Sequence, residues 1–292
     1  MTAPAYGALL DAVRGVHWPA RRAVTNAMSG AHHSKLRGTS AEFTEYRLYR
    51  QGDDPRRIDW RLLGRSDRAY IRLATDRATL PTMLVLDASA SMAYPVTTRA
   101  KWRFAREIVI ALAAVVHADG DPVGVALADE MGRRHVLPPR TRRGVVNEIA
   151  RVVDARDPDG ANGLAPIVAS LRSPRIAIIT DLLGDADELL SASAVHLAAG
   201  REVHVIHVVA REELDPPRRP ILAADPEAPA LQRLLVDSTR ALYEQRFAEW
   251  RTDVARRWRV AGAGYVEVVS DESVSHAVRR IVRSPTAGGA RQ

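Results

Sequence analysis

Residues Thr82 to Met92 read TMLVLDASASM. A β-favouring apolar run ends at Asp87, and serines follow at alternate positions, Ser89 and Ser91. A short continuous apolar run bounded by polar turn formers reads as a strand buried on both faces. The same pattern recurs down the chain and predicts strands at Thr82–Asp87, Val123–Leu127, Ile176–Thr180, Val203–Val209 and Tyr265–Val269. Helical periods fill the gaps near Lys101–His117, Arg142–Val153, Leu164–Leu171, Asp185–Ala198 and Ser238–Arg259. Continuous Val, Ile and Leu strands alternating with helices specify a doubly wound α/β fold, its mostly parallel sheet covered on both faces. Ligands of such folds sit at the carboxyl ends of the strands. Asp87 ends one predicted central strand, and Asp181, after RIAIIT, ends another.

Composition sets the outer bounds. A chain of 292 residues, 46% hydrophobic, buries a substantial core, and with no cysteine it has neither disulfides nor thiolate metal sites. The longest apolar run, Ile108 to Val116, falls well short of the roughly 18 residues of a membrane span, and the N-terminus has no secretory leader pattern. The expectation is a cytoplasmic protein without a membrane span. A net charge of +7 invites a nucleic-acid reading, but forty of the 42 basic residues are arginine, spread along the chain among carboxylates. Neither a basic stripe with stacking aromatics nor a nucleic-acid motif stands out, so no specific nucleic-acid partner is expected.

Three chemistries can be tested on Asp-x-Ser-x-Ser. A phosphatase of the haloacid dehalogenase type needs a second Asp two residues after the nucleophile, and Ser89 stands there. A serine hydrolase needs a nucleophile elbow, and no G-x-S-x-G is present. A divalent metal suits the spacing, because alternate residues of an extended loop project to one side and can bring a carboxylate and two hydroxyls to one hard cation. A plain turn out of the strand competes with that reading.

DASASM, followed by IITDLLGD, resembles the metal-ion-dependent adhesion site of von Willebrand factor A domains. The resemblance implies a site made of Asp87, Ser89 and Ser91 from one loop and Asp181 from another, holding Mg²⁺ or Mn²⁺. In the remaining loop, DGANGLAPIVASL places Asn162 where relatives carry threonine. Upstream, RGTSAEFTEYRLYRQGDDPRRIDWRLLGRSDRAYIRLATDRATL closely resembles the signature of the bacterial domain-of-unknown-function family numbered 58, and the likeness runs over about residues 34 to 270. That family is thought to act with MoxR-type AAA+ ATPases in chaperone-like maturation or assembly of other proteins. The resemblance therefore implies a non-enzymatic protein-interaction module whose metal is completed by an acidic residue of a client or of the ATPase. The alternatives are a metal-dependent phosphoester hydrolase using the same carboxylates, and a structural module whose metal site has decayed.

The expected organisation is an arm over residues 1–33 with a helix around Ala8–Val13, a small β-containing segment over 34–80, the A-like domain over 81–284, and a disordered tail over 285–292. In GDDPRRIDW, Asp53, Asp54 and Asp59 are expected to pair with Arg56, Arg57 and Arg61 while Trp60 packs the segment against the sheet; the competing reading is a docking surface of arginine and tryptophan. His204 and His207 fall on opposite faces of their strand. Tyr243, Phe247, Trp250 and Val254 form a helical stripe that packs on a core.

Overall fold

The computed structural model describes residues 6–20, 29–33, 43–51, 53–74, 77–128, 134–158, 163–184, 186–217, 221–224, 232–235 and 237–285. The chain divides into two compact units, residues 1–22 with 81–292, and residues 23–80.

The larger unit is built on a six-stranded sheet. Its strands are β1 (Thr82–Leu86), β2 (Val123–Ala128), β3 (Arg134–Arg140), β4 (Arg175–Thr180), β5 (Glu202–Val209) and β6 (Gly264–Val269), in spatial order β6-β5-β4-β1-β2-β3. All neighbours are parallel except β2 and β3. From β1 the chain moves outward to β2 and β3, then returns to the other side of β1 as β4. The order therefore reverses between β1 and β4, the position where doubly wound sheets open a crevice for ligands.

Every residue of β1, β4 and β5 is buried, as strands covered on both faces require. Alternate side chains feed two cores. Leu84, Leu86, Ala177, Ile179, Ile206 and Val208 join the core beneath α1 (Ala100–Ala118), α2 (Val145–Asp154) and α6 (Val274–Arg283). Met83, Val85, Ile176, Ile178, Val203 and Val205 join the one beneath α3 (Leu164–Ser170), α4 (Ala186–Ala198) and α5 (Asp237–Val260). The histidines of β5 part in the same way: His204 meets Trp18, and His207 meets Trp250 and Tyr265. On α5, Tyr243, Phe247 and Trp250 stack on one another, and Val254 enters the core.

The edge strand β3 was not legible in the sequence. Its segment RHVLPPR has a proline pair and no continuous apolar run, which an edge strand tolerates and a central one does not. It crosses β2 closely at an irregular register, and a Cβ on Gly124 would come within 2.4 Å of the Leu137 carbonyl oxygen.

The N-terminal arm needs correction. The segment expected as one arm over residues 1–33 is divided, and residues up to Arg22 belong to the larger unit. After a helix at Gly7–Ala12, Val13 and Trp18 are buried in the core. Buried Arg175 lies 4.6 Å from the Trp18 ring centroid and donates to the carbonyl oxygens of Trp18 and Pro19. Its charge is balanced by Glu202 at 3.0 Å, so one ion pair closes this edge and fixes the arm. Ser29–His33 pairs instead with Arg77–Ala78 in the smaller unit. The expected disordered tail lies outside the described residues apart from Pro285.

The smaller unit contains the antiparallel pair Phe43–Leu48 and Tyr70–Ala74 and a short helix, Trp60–Ser66. Its acids work as local caps. Asp53 accepts from the Arg50 amide and the Arg47 guanidinium, and these bonds hold its carboxyl below the usual range. Asp54 accepts from the Arg56 amide. Asp59 accepts from the Arg61 and Leu62 amides and from the Tyr46 hydroxyl. Backbone amides thus supply capping bonds to Asp53, Asp54 and Asp59. Trp60 is 64% exposed.

Candidate functional site

Asp87 and Asp181 do meet at the β1/β4 reversal. The register pairs Leu86 with Ile179, and the Asp87 amide continues the ladder by donating to the Ile179 carbonyl. This sets Asp87 beside Thr180, whose hydroxyl donates to Asp87 Oδ2 at 2.6 Å. Asp87 Oδ1 accepts from the Ser89 amide at 2.9 Å, which bends the chain out of the strand. Ser89 and Ser91 then stand with their hydroxyl oxygens 3.0 Å apart, both buried. Burial, and after it the nearby charge of Asp181, pushes the Asp87 carboxyl above its ordinary value.

Asp181 is followed by Leu182, a non-glycine residue at φ 58°. This left-handed turn carries the Leu183 amide back to Asp181 Oδ1 at 3.2 Å and the Leu182 amide to Thr180 Oγ1 at 3.0 Å. Left-handed backbone is unfavourable for leucine, so the loop spends energy on this shape.

Two charged residues that the sequence reading did not single out complete the site. The Lys101 ammonium, from the first turn of α1, lies 2.6 Å from Asp181 Oδ2 and 2.8 Å from Glu213 Oε1. Its side chain is 0% exposed. Burial alone would drive the proton off, but the Asp181 and Glu213 carboxylates outweigh it and raise the Lys101 pKa. Glu213 stands on a one-turn helix, Arg211–Leu214, just after β5, and its other oxygen accepts from the Ala210 amide at 2.7 Å. Burial pushes its carboxyl up against the opposing pull of Lys101. All six carboxylate oxygens of Asp87, Asp181 and Glu213 therefore accept a bond from the chain itself.

The oxygen-only donor set has the chemistry of a hard-cation site, and the two serine hydroxyls are close enough to share an ion. Asp181, however, already holds an ammonium. Mg²⁺ demands about six oxygens at roughly 2.0–2.1 Å in an octahedron, so an ion ligated by this carboxylate competes with Lys101 for it. In this arrangement the residues around Asp181 fit the ammonium and not a divalent ion beside it. Asn162 lies outside the described residues. Among the described residues, no three His, Asp or Glu side chains are disposed to hold a metal. Among them, too, no helix is long and apolar enough to cross a membrane.

A signal for Lys101 was present in the sequence. The chain has only two lysines, Lys35 and Lys101, among 42 basic residues. Arginine's planar fork matches one carboxylate in a fixed bidentate geometry, whereas lysine is a compact point charge with three rotatable donors. Glu213 carried no motif, although strand-end position after β5 marks REEL as a loop facing the site.

Comparison with known proteins adds the following. Uncharacterized proteins of Mycobacterium tuberculosis and Mycobacterium bovis are each 28% identical over 294 residues, covering 96% of this chain and 90% of theirs. An aerotolerance-related membrane protein from Bacteroides fragilis is similar in structure, with 17% identity, a TM-score of 0.47 and coverage of 70% of this chain and 98% of that one. The conserved hypothetical protein BatB from Bacteroides thetaiotaomicron gives 16% identity, a TM-score of 0.42 and coverage of 70% and 97%. The family model described as "Protein of unknown function DUF58" matches residues 45–253, well over half of the sequence, and the chain therefore belongs to the DUF58 family.

Proposed function

We propose that this chain is a non-enzymatic protein-interaction module that receives a partner at the carboxyl edge of its sheet. The observation that carries this reading is the ion triad of Lys101, Asp181 and Glu213. Asp181 is fixed by a rigid strand end, whereas Glu213 comes from a one-turn helix on the loop after β5 and keeps a 12% exposed side chain. An acidic side chain of a partner that takes the place of Glu213 leaves the charge of the triad unchanged. The exchange therefore avoids stranding a buried cation, the costly outcome when a buried pair loses one member. Exposed Leu183 and Val96, on the loops that follow β4 and β1, supply apolar area beside this point.

The partner we propose is a MoxR-type AAA+ ATPase, served in chaperone-like maturation or assembly of protein complexes. Family membership supports this choice through the resemblance noted in the sequence. Binding is favoured over phosphoester hydrolysis because Asp87 and Asp181 are nearly fully buried and committed to internal bonds, which leaves no carboxylate aimed at solvent as nucleophile or base.

Capture of the ATPase by immobilised chain tests the proposal. Glu213→Gln weakens the internal competitor and is expected to strengthen capture by on the order of tenfold, the worth of one charge-assisted hydrogen bond. Lys101→Met is expected to abolish capture while the chain remains folded by circular dichroism. Capture indifferent to both substitutions would falsify the proposal.

A further inference from the structure

We propose that Lys101 is the resident cation of the β1/β4 site, so that the chain needs no divalent metal there. This deepens the interaction reading of the same site and rests on it only for its biological use. The ammonium stands against one of the two strand-end carboxylates that an adhesion-type metal would use, and it draws in a third carboxylate from the loop after β5. It contributes what a metal ion contributes to such a site, a buried positive charge that ties separate loops together, here the turn after β4, the start of α1 and the helix after β5. It does so through contacts of 2.6 and 2.8 Å, ordinary lengths for charge-assisted hydrogen bonds. A tethered cation also has no dissociation equilibrium with solvent, so the site does not depend on metal supply.

Residue choice is a second, independent observation. In a chain where forty of 42 basic residues are arginine, position 101 is lysine. A guanidinium presents a broad planar fork, whereas an ammonium is compact, with donors directed to several oxygens at once. The burial of Lys101, with 0% of its side chain exposed, leaves no solvent path for the wider group to use.

The inference also fixes what removal of the ammonium does. The Asp181 and Glu213 oxygens that met on the ammonium then lose their shared cation, with the Asp87 carboxyl near enough to feel the charge of Asp181. A carboxylate pair left without its cation attracts a hard divalent ion, which brings its remaining oxygens as water. Loss of Lys101 is thus expected to create metal binding.

The test is a titration of the whole chain with Mn²⁺, reading free ion by electron paramagnetic resonance, repeated with Mg²⁺ by calorimetry. Wild type is expected to show no saturable uptake at millimolar ion, and its thermal midpoint should be the same with and without EDTA. Lys101→Met is expected to gain at least about tenfold in Mn²⁺ affinity. Adding Asp87→Asn to Lys101→Met should remove that gain. Saturable uptake by wild type that Asp87→Asn abolishes would overturn the inference, and this arm decides the matter even if Lys101→Met does not fold. No partner is present in the titration. Its failure therefore leaves the interaction reading standing, and failure of ATPase capture leaves the titration result intact.

Discussion

At the scale of single residues, His207 is a group whose protonation the fold alters. It sits on β5 with its Nδ1 2.6 Å from the Tyr265 hydroxyl, and burial pulls its pKa down to about 4. The unfolded side chain titrates near 6.5. Between those values the unfolded chain binds a proton that the folded chain refuses, so stability rises with pH across the window and is lost as pH falls from about 6.5 to about 4. The full effect is on the order of 3 kcal/mol. Urea unfolding of wild type and His207→Gln across this range checks it; equal slopes of stability against pH in the two proteins would remove His207 as the source. Residues were also where the sequence was least complete. Asp87, Ser89, Ser91 and Asp181 were legible because their spacing and strand-end positions mark them. Glu213 was not, because a charged residue on a loop reads as solvated and only the fold carries it inside, and Lys101 was marked only by the rarity of lysine in the chain.

At the scale of elements, five of the six sheet strands could be read to within a residue at either end, since burial on both faces forces an uninterrupted apolar composition. The exception, β3, owes its place to β2 and not to its own composition. Gly124 is the other half of that arrangement. Gly124→Ala would press a methyl group against the backbone of Leu137, Pro138 and Pro139, none of which can rotate away as a side chain would. A loss of about 2 kcal/mol is expected, measured as a fall in the urea midpoint at unchanged slope. A neutral result would mean that β3 can slide along its edge. The arm was misread for a related reason. A single tryptophan and one valine bury it, too few apolar positions to show a period, and its partner Arg175 lies far along the chain.

At the scale of the whole molecule, the topology explains why residues so distant in sequence converge. Reversal of strand order between β1 and β4 brings Asp87 and Asp181 side by side, and β5 next to β4 delivers the loop with Glu213 to the same edge. The α/β class and the location of the site were therefore legible together, because both follow from strand order. The division at residues 22/23 and 80/81 was half legible: the second boundary shows as the start of regular strand and helix periods, whereas the first falls within the arm.

The scarcity of lysine has one more consequence, for proteolysis. A protease that cuts only after lysine has two targets in this chain, and the second, Lys101, has a side chain sealed inside the larger unit. Cleavage there requires α1 to leave the sheet. Under conditions where reclosing outpaces cutting, the rate of scission at Lys101 tracks the open population of the α/β domain. The expected outcome is that this rate rises with urea in step with global unfolding. Fast scission at Lys101 under native conditions would show a local opening of the site that leaves the rest of the domain folded.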